Sequence, residues 1–145
     1  MSIQVGFVGM THLGLVSATG VASKGFEVVC YDPDPGLIAR LRAGALPVLE
    51  PGLDGLIAAH RDRQRFTTQI SELVACHVVY IAPDVPTDDR GCSNLAGINR
   101  LIETVLPNFG ATAILGVLCQ APPGLPPSLP MPARRPYYQV GTLIL

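Results

Sequence analysis

VGFVGMTHLGLV, Val5 to Val16, is an apolar run that enters a glycine-bearing turn and leaves as an amphipathic helix. Ile3–Val8 reads as a buried strand, Leu13–Ser23 as a helix and Glu27–Tyr31 as a second strand, with Gly25 where a helix stop belongs. Strand, turn, helix and strand within about thirty residues make a βαβ unit, whose strands lie parallel because a helical crossover joins them. In a phosphate-binding turn of the form GxGxxG the first glycine makes the tight turn, the second lets backbone approach a pyrophosphate, and the third lets helix and strand pack closely. Gly9 and Gly14 hold the first and third places, and Thr11 holds the second. Threonine brings a Cβ and a methyl group towards the phosphates, together with a hydroxyl able to donate to them, while the helix N-terminus still offers free N–H groups and a positive dipole end.

By themselves these residues fit a plain strand-to-helix turn as well as a ligand site. Asp32 tips the balance, because it ends the second strand eighteen residues after Gly14. Such folds place there an acid that hydrogen-bonds the adenosine ribose, and a carboxylate prefers a 2′-hydroxyl to a 2′-phosphate, so the expected cofactor is NAD rather than NADP. The alternative is that Asp32 is a turn residue before Pro33.

Downstream the pattern keeps alternating. Asp34 and Pro35 read as N-cap and first position of a helix over Pro35–Arg42. Pro51 opens a helical pattern through His60, Phe66 and Thr67 lead into a short strand, Ser71–Ala75 gives a helical turn or two, and His77–Ala82 is an apolar strand. A loop from Pro83 to Ser93, a helix over Leu95–Leu106 and a strand over Ala111–Leu118 follow, and Tyr137–Leu145 is a last apolar piece. The expected fold is therefore α/β, a Rossmann-like doubly wound parallel sheet in a single truncated domain. Residues 1–121 form the dinucleotide-binding domain. Residues 122–145 form a proline-rich segment, with seven of the fourteen prolines, and the start of a continuation.

Composition narrows the partners. The chain has 145 residues, 48% of them hydrophobic and 14% charged, with a formal net charge of -1 and one lysine, Lys24. That is enough for a buried core and too little positive charge for nucleic acid or an acidic membrane surface. No apolar run is long enough to span a bilayer and the N-terminus lacks a basic signal segment, so a cytoplasmic protein is expected. Cys30, Cys76, Cys92 and Cys119 are far apart, without metal-ligand spacing, and read as reduced thiols.

Three further stretches carry a family resemblance: LPVLEPGLDGLI (Leu46–Ile57), FTTQISELVACHVVYIAPDVPTDDRG (Phe66–Gly91) and CQAPPG (Cys119–Gly124). In order and spacing the chain resembles the N-terminal, NAD-binding domain of the UDP-glucose/GDP-mannose dehydrogenases, and GMTHLG resembles a variant of the family's GxGxVG. The resemblance implies oxidation of a nucleotide sugar at C6, alcohol to carboxylate, with two NAD. It implies that the backbone of Met10, Thr11, His12 and Leu13 holds the pyrophosphate and Asp32 the adenosine ribose. It also implies that Ala82, Pro83, Asp84, Val85, Pro86 and Thr87 line the cofactor, and that Cys119 and Gln120 lie beside the nicotinamide. All these segments fall at the carboxyl ends of expected parallel strands, where open α/β sheets bind ligands. The other readings are bland: Asp84, Asp88 and Asp89 as a solvated loop, Glu50 as an aid to helix initiation, His12 as a capping or packing residue, and His60 and His77 as surface and strand positions.

The chain also departs from that family. The family's second-domain cysteine, which carries the aldehyde as a thiohemiacetal and then a thioester, has no counterpart motif here. The lysine and asparagine of its central segment are likewise expected beyond Leu145. Gly141 stands where the family has a catalytic glutamate, Leu125, Pro126 and Pro127 replace its Thr-Arg, and no carboxylate side chain follows Glu103. The expectation is a domain that binds NAD and meets a nucleotide-sugar substrate only together with a C-terminal half. The alternatives are a non-catalytic NAD-binding or interaction module, or a decayed remnant. The apolar end Thr142–Leu145 leads us to expect self-association.

Overall fold

The computed structural model describes residues 3–46, 50–82, 103–104, 107, 113–118 and 137–139. Six strands form one sheet: β1 (Gln4–Val8), β2 (Glu27–Tyr31), β3 (Gln64–Thr67), β4 (Val78–Ile81), β5 (Ile114–Leu118) and β6 (Tyr137–Gln139). Their spatial order is β3-β2-β1-β4-β5-β6, and every neighbouring pair is parallel. This is the doubly wound order, with its switch point between β1 and β4, where the chain leaves one half of the sheet for the other.

The helices between the first three strands, α1 (His12–Ser23), α2 (Pro35–Arg42) and α3 (Leu53–Ala59), share one core with one face of the sheet. Val5, Phe7, Val28, Cys30 and Phe66 contribute from the strands, and Leu15, Ala18, Ile38, Leu41 and Ile57 from the helices. Strand side chains alternate between faces, so Gly6, next to Phe7, looks the other way. A Cβ there would stand 2.9 Å from Leu73 and 3.1 Å from the Cys76 sulfur, both brought in by the 3₁₀ helix Ile70–Ala75. Glycine thus lets this short helix lie close against the central strand. On the first face the Tyr80 ring stacks with Phe7, centroids 5.3 Å apart, and spreads over Gly116 of β5. A Cβ at Gly116 would meet that ring at 2.5 Å.

Most expected elements appear near their expected limits, and the differences have local causes. α2 starts as expected, with the Asp34 carboxylate accepting from the N–H groups of Gly36 and Leu37 and Pro35 in the first turn. α3 starts at Leu53 and not at Pro51, because Gly52 takes a left-handed conformation (φ 81°) as its N-cap. β3 starts two residues before Phe66, since Gln64 and Arg65 continue the ladder against Val28 and Val29. β5 starts at Ile114, Glu103 and Thr104 are helical within the expected Leu95–Leu106 helix, and β6 accounts for the start of the Tyr137–Leu145 piece. The expected Pro83–Ser93 loop and the proline-rich 122–136 segment lie outside the described residues. Among the described residues no helix is long and apolar enough to cross a membrane.

Candidate functional site

The carboxyl ends of β1, β2, β3 and β4 are held level by backbone bonds that run past the strands. Gly9 donates to Tyr31, Asp32 to Thr67 and Ala82 to Val8, at 2.9, 3.2 and 2.8 Å. On that platform Gly9 turns the chain with φ 97°, a value side chains avoid. Gly14 sits above it, where a Cβ would be 2.0 Å from the Gly9 oxygen and 3.3 Å from the Ala82 Cβ. The first and third glycines are therefore both required by the backbone itself.

The second position is not. Thr11 has φ -71° and ψ 175°, extended geometry open to any residue, and it serves as the N-cap of α1. Its hydroxyl accepts from the Gly14 N–H at 3.1 Å and donates to the Ala82 carbonyl at 2.7 Å. A hydroxyl has one hydrogen, so the Thr11 side chain, contrary to the expectation of a phosphate donor, spends it in tying the turn to β4. Within the first turn of α1, Leu15 donates to the Thr11 carbonyl and Gly14 to the Thr11 hydroxyl, which leaves the N–H groups of His12 and Leu13 without an acceptor inside the helix. The Met10 N–H, in the expected Met10–Leu13 set, donates to Asp32 Oδ2 at 2.8 Å.

Asp32 thereby has two tasks. Oδ2 clamps the turn through Met10, Oδ1 accepts from the Asp34 N–H at 2.9 Å, and each oxygen retains a further lone pair. The half-exposed carboxylate can thus still accept from a pair of hydroxyls. Together with burial it pushes the neighbouring Tyr31 phenol up, burial being the larger cause.

His12, the first residue of α1, directs Nε2 at Glu50 Oε2, 2.9 Å away and 38 positions on. Neither partner was expected to find the other. Local signals existed only for the cap, since Thr11 stands three residues ahead of Gly14 as an N-cap residue would. Pro83, Asp84, Val85, Pro86, Thr87, Cys119 and Gln120, and with them Gly141, lie outside the described residues. His77 is a strand-edge link, its Nδ1 accepting from the Gln4 N–H at 3.1 Å. Burial drives the Cys30 thiol up to about 12, a side-chain hydrogen bond from Gln64 partly opposing it, and drives Cys76 up to about 11. Neither is a nucleophile at neutral pH. A groove of about 460 Å³ lined by Gln4, Glu27, Gln64 and Glu72 opens at the amino ends of the strands, away from the glycine turn.

A parallel sheet of this order, with a glycine-built turn and a facing acid at its switch point, defines the dinucleotide-binding class of α/β domain. Residues 3–124 match the model of the UDP-glucose/GDP-mannose dehydrogenase family, NAD binding domain, and the chain belongs to that family. It is 39% identical over 88 residues to a UDP-glucose 6-dehydrogenase of Rhizobium meliloti, covering 59% of this chain and 20% of that protein. It is 34% identical over 105 residues to the UDP-glucose 6-dehydrogenase TuaD of Bacillus subtilis, covering 70% of this chain and 23% of that protein. Among solved structures, a UDP-glucose dehydrogenase from Pyrobaculum islandicum is similar with a TM-score of 0.77 at 28% identity, over 86% of this chain and 30% of the other. A UDP-D-ManNAc dehydrogenase from Pyrococcus horikoshii shares the fold with a TM-score of 0.88 at 20% identity, over 98% and 37%. The chain thus spans about a fifth to a quarter of the length of these curated relatives. The site suits the family's NAD: the turn has no side chain where Gly9 and Gly14 meet, two N–H groups of the first helical turn have no acceptor inside the helix, and a carboxylate with spare acceptor capacity stands beside the turn.

Proposed function

We propose that this chain is the part of a nucleotide-sugar 6-dehydrogenase, of the UDP-glucose type, that binds and orients NAD. The N–H groups of His12 and Leu13, at the positive end of α1, hold the diphosphate. Gly9 and Gly14 keep the backbone low enough for it to approach, Thr11 locks the turn to β4, and Asp32 accepts from the adenosine ribose hydroxyls and repels a 2′-phosphate. Ala82 to Thr87 line the cofactor, and Cys119 and Gln120 lie beside the nicotinamide, roles supported by the family resemblance. NAD supplies the oxidising chemistry. The observation that carries the reading is the Asp32 carboxylate, anchored by two backbone N–H groups beside the turn with acceptor capacity to spare.

Oxidation of the sugar C6 alcohol to the carboxylate, with two NAD, needs a thiol nucleophile and a base. We propose that these 145 residues alone bind NAD without turnover, since they carry no counterpart of the family's cysteine motif and the glutamate position holds Gly141. Gly141 together with Leu125, Pro126 and Pro127 also favours a second reading, a non-catalytic NAD-binding module that pairs with a separate catalytic chain. Calorimetric titration of the purified chain with NAD and with NADP tests the binding claim. Clear preference for NAD is expected, and equal binding of the two removes Asp32 from the site. Sugar oxidation by the chain alone overturns the claim of binding without turnover.

A further inference from the structure

The bond from the Thr11 hydroxyl to the Ala82 carbonyl crosses the switch point of the sheet, from the turn after β1 to the end of β4. Ala82 lies one residue past β4 and is fully buried. Its N–H donates to the Val8 carbonyl at 2.8 Å, as a last rung against β1, and its own carbonyl accepts from Thr11 at 2.7 Å. A glycine at position 11 has no hydroxyl to give, so this buried carbonyl would lose its donor. The hydroxyl is itself held in place, because it also accepts from the Gly14 N–H at 3.1 Å and because a β-branched side chain has few χ1 choices. Gly14 completes the cluster, since the absence of its side chain lets α1 come down close to the Ala82 Cβ.

We propose that Thr11 is a positioning residue for the nicotinamide side of the site, fixing the end of β4 at a set distance from the diphosphate turn. The inference rests on the reading of the Gly9–Gly14 turn as the NAD site. NAD spans the crevice at the switch point, with its diphosphate over the turn and its nicotinamide half on the side where the segment beginning at Ala82 lines the cofactor. Its two halves are joined covalently, so both are gripped well only where the turn and the end of β4 keep one spacing before the ligand arrives. The rung from Ala82 to Val8 fixes one side of the Ala82 peptide and Thr11 fixes the other. Without the hydroxyl the carbonyl, and the chain that follows it, is free to turn. Restoring the glycine of the general motif therefore weakens the grip on NAD, although it removes bulk near the phosphates and releases the Gly14 N–H for them. ADP ends at the diphosphate and does not reach β4, so it does not sense the bond.

The test is calorimetric titration of the whole chain with NAD, and with ADP directly or by displacement of NAD. It is run on the unaltered chain and on Thr11→Gly, Thr11→Val and Thr11→Ser, each first shown to be folded by urea unfolding. The quantity read is the ratio of NAD affinity to ADP affinity, which a loss of stability alone does not move. It should fall about three- to tenfold in Thr11→Gly and Thr11→Val, the range expected for one lost hydrogen bond. In Thr11→Ser, which keeps both bonds, it should stay within about twofold of the unaltered value. Glycine is a tolerated N-cap, so Thr11→Gly folds even where Thr11→Val does not. A ratio unchanged in Thr11→Gly overturns the proposal while leaving the NAD site standing, and so does a ratio that falls as far in Thr11→Ser. No binding of NAD to the unaltered chain, or binding for which ADP does not compete, overturns the reading of the turn as well.

Discussion

Two helices begin at the same edge of the sheet, each directly after a strand, and they treat their exposed N–H groups in opposite ways. α2 closes its own N-terminus: the Asp34 carboxylate takes the N–H groups of Gly36 and Leu37, and Pro35 has none to offer. α1 is capped by a neutral hydroxyl that takes one N–H, carries no acid in its first turn, and begins over a turn in which Gly9 and Gly14 remove the side-chain bulk. A helix end that supplies its own anion is finished as a structural element. One that lacks it can offer its donors and its dipole to an anion from outside.

The contrast can be broken most severely at Gly14. Gly14→Ala places a methyl group 2.0 Å from the Gly9 carbonyl, a backbone atom that cannot step aside. We expect a loss of about 3 kcal/mol or more by urea unfolding, with NAD binding below detection, whereas a variant of unchanged stability would show that the turn is looser than described. Thr11→Asp makes α1 resemble α2. The cap to Gly14 survives, but a carboxylate cannot donate to the buried Ala82 carbonyl, so stability should fall by about 1–3 kcal/mol. NAD affinity should fall by several hundredfold or more, as a like charge about 5 Å from the diphosphate implies at an effective dielectric constant of about 20. Unaltered affinity would mean that the diphosphate lies elsewhere. The converse, Asp34→Ala, should cost about 1 kcal/mol in the same unfolding experiment and leave NAD titration unchanged, because the donors it exposes do not face the glycine turn.

The same contrast explains what could be read in advance. α2 is legible because its signals are adjacent, Asp34 capping and Pro35 starting, and the apolar runs of β1, β2 and β4 announce buried strands. Asp32 is legible from its distance to the glycines, a spacing that reflects one helix and one strand. Thr11 is a misleading letter in a glycine pattern, because its conformation is ordinary and its role is a contact with Ala82, 71 positions away. The pairing of His12 with Glu50 has no local signal either, since it exists only once α3 packs beside α1. Gly52 shows a smaller gap of the same kind: Pro51 suggests a helix start, but the left-handed turn that follows delays it to Leu53.

The Tyr80 ring lying over Gly116 has a bearing on how this sheet can drift through evolution. The ring fills the place that a side chain on β5 would need, so the two positions share a single volume. A larger residue at 116 becomes acceptable only after the ring at 80 has been lost or turned away, and the order of the two changes matters. Across related sequences, an aromatic residue at the first position should therefore keep company with glycine at the second, and the pair should change together.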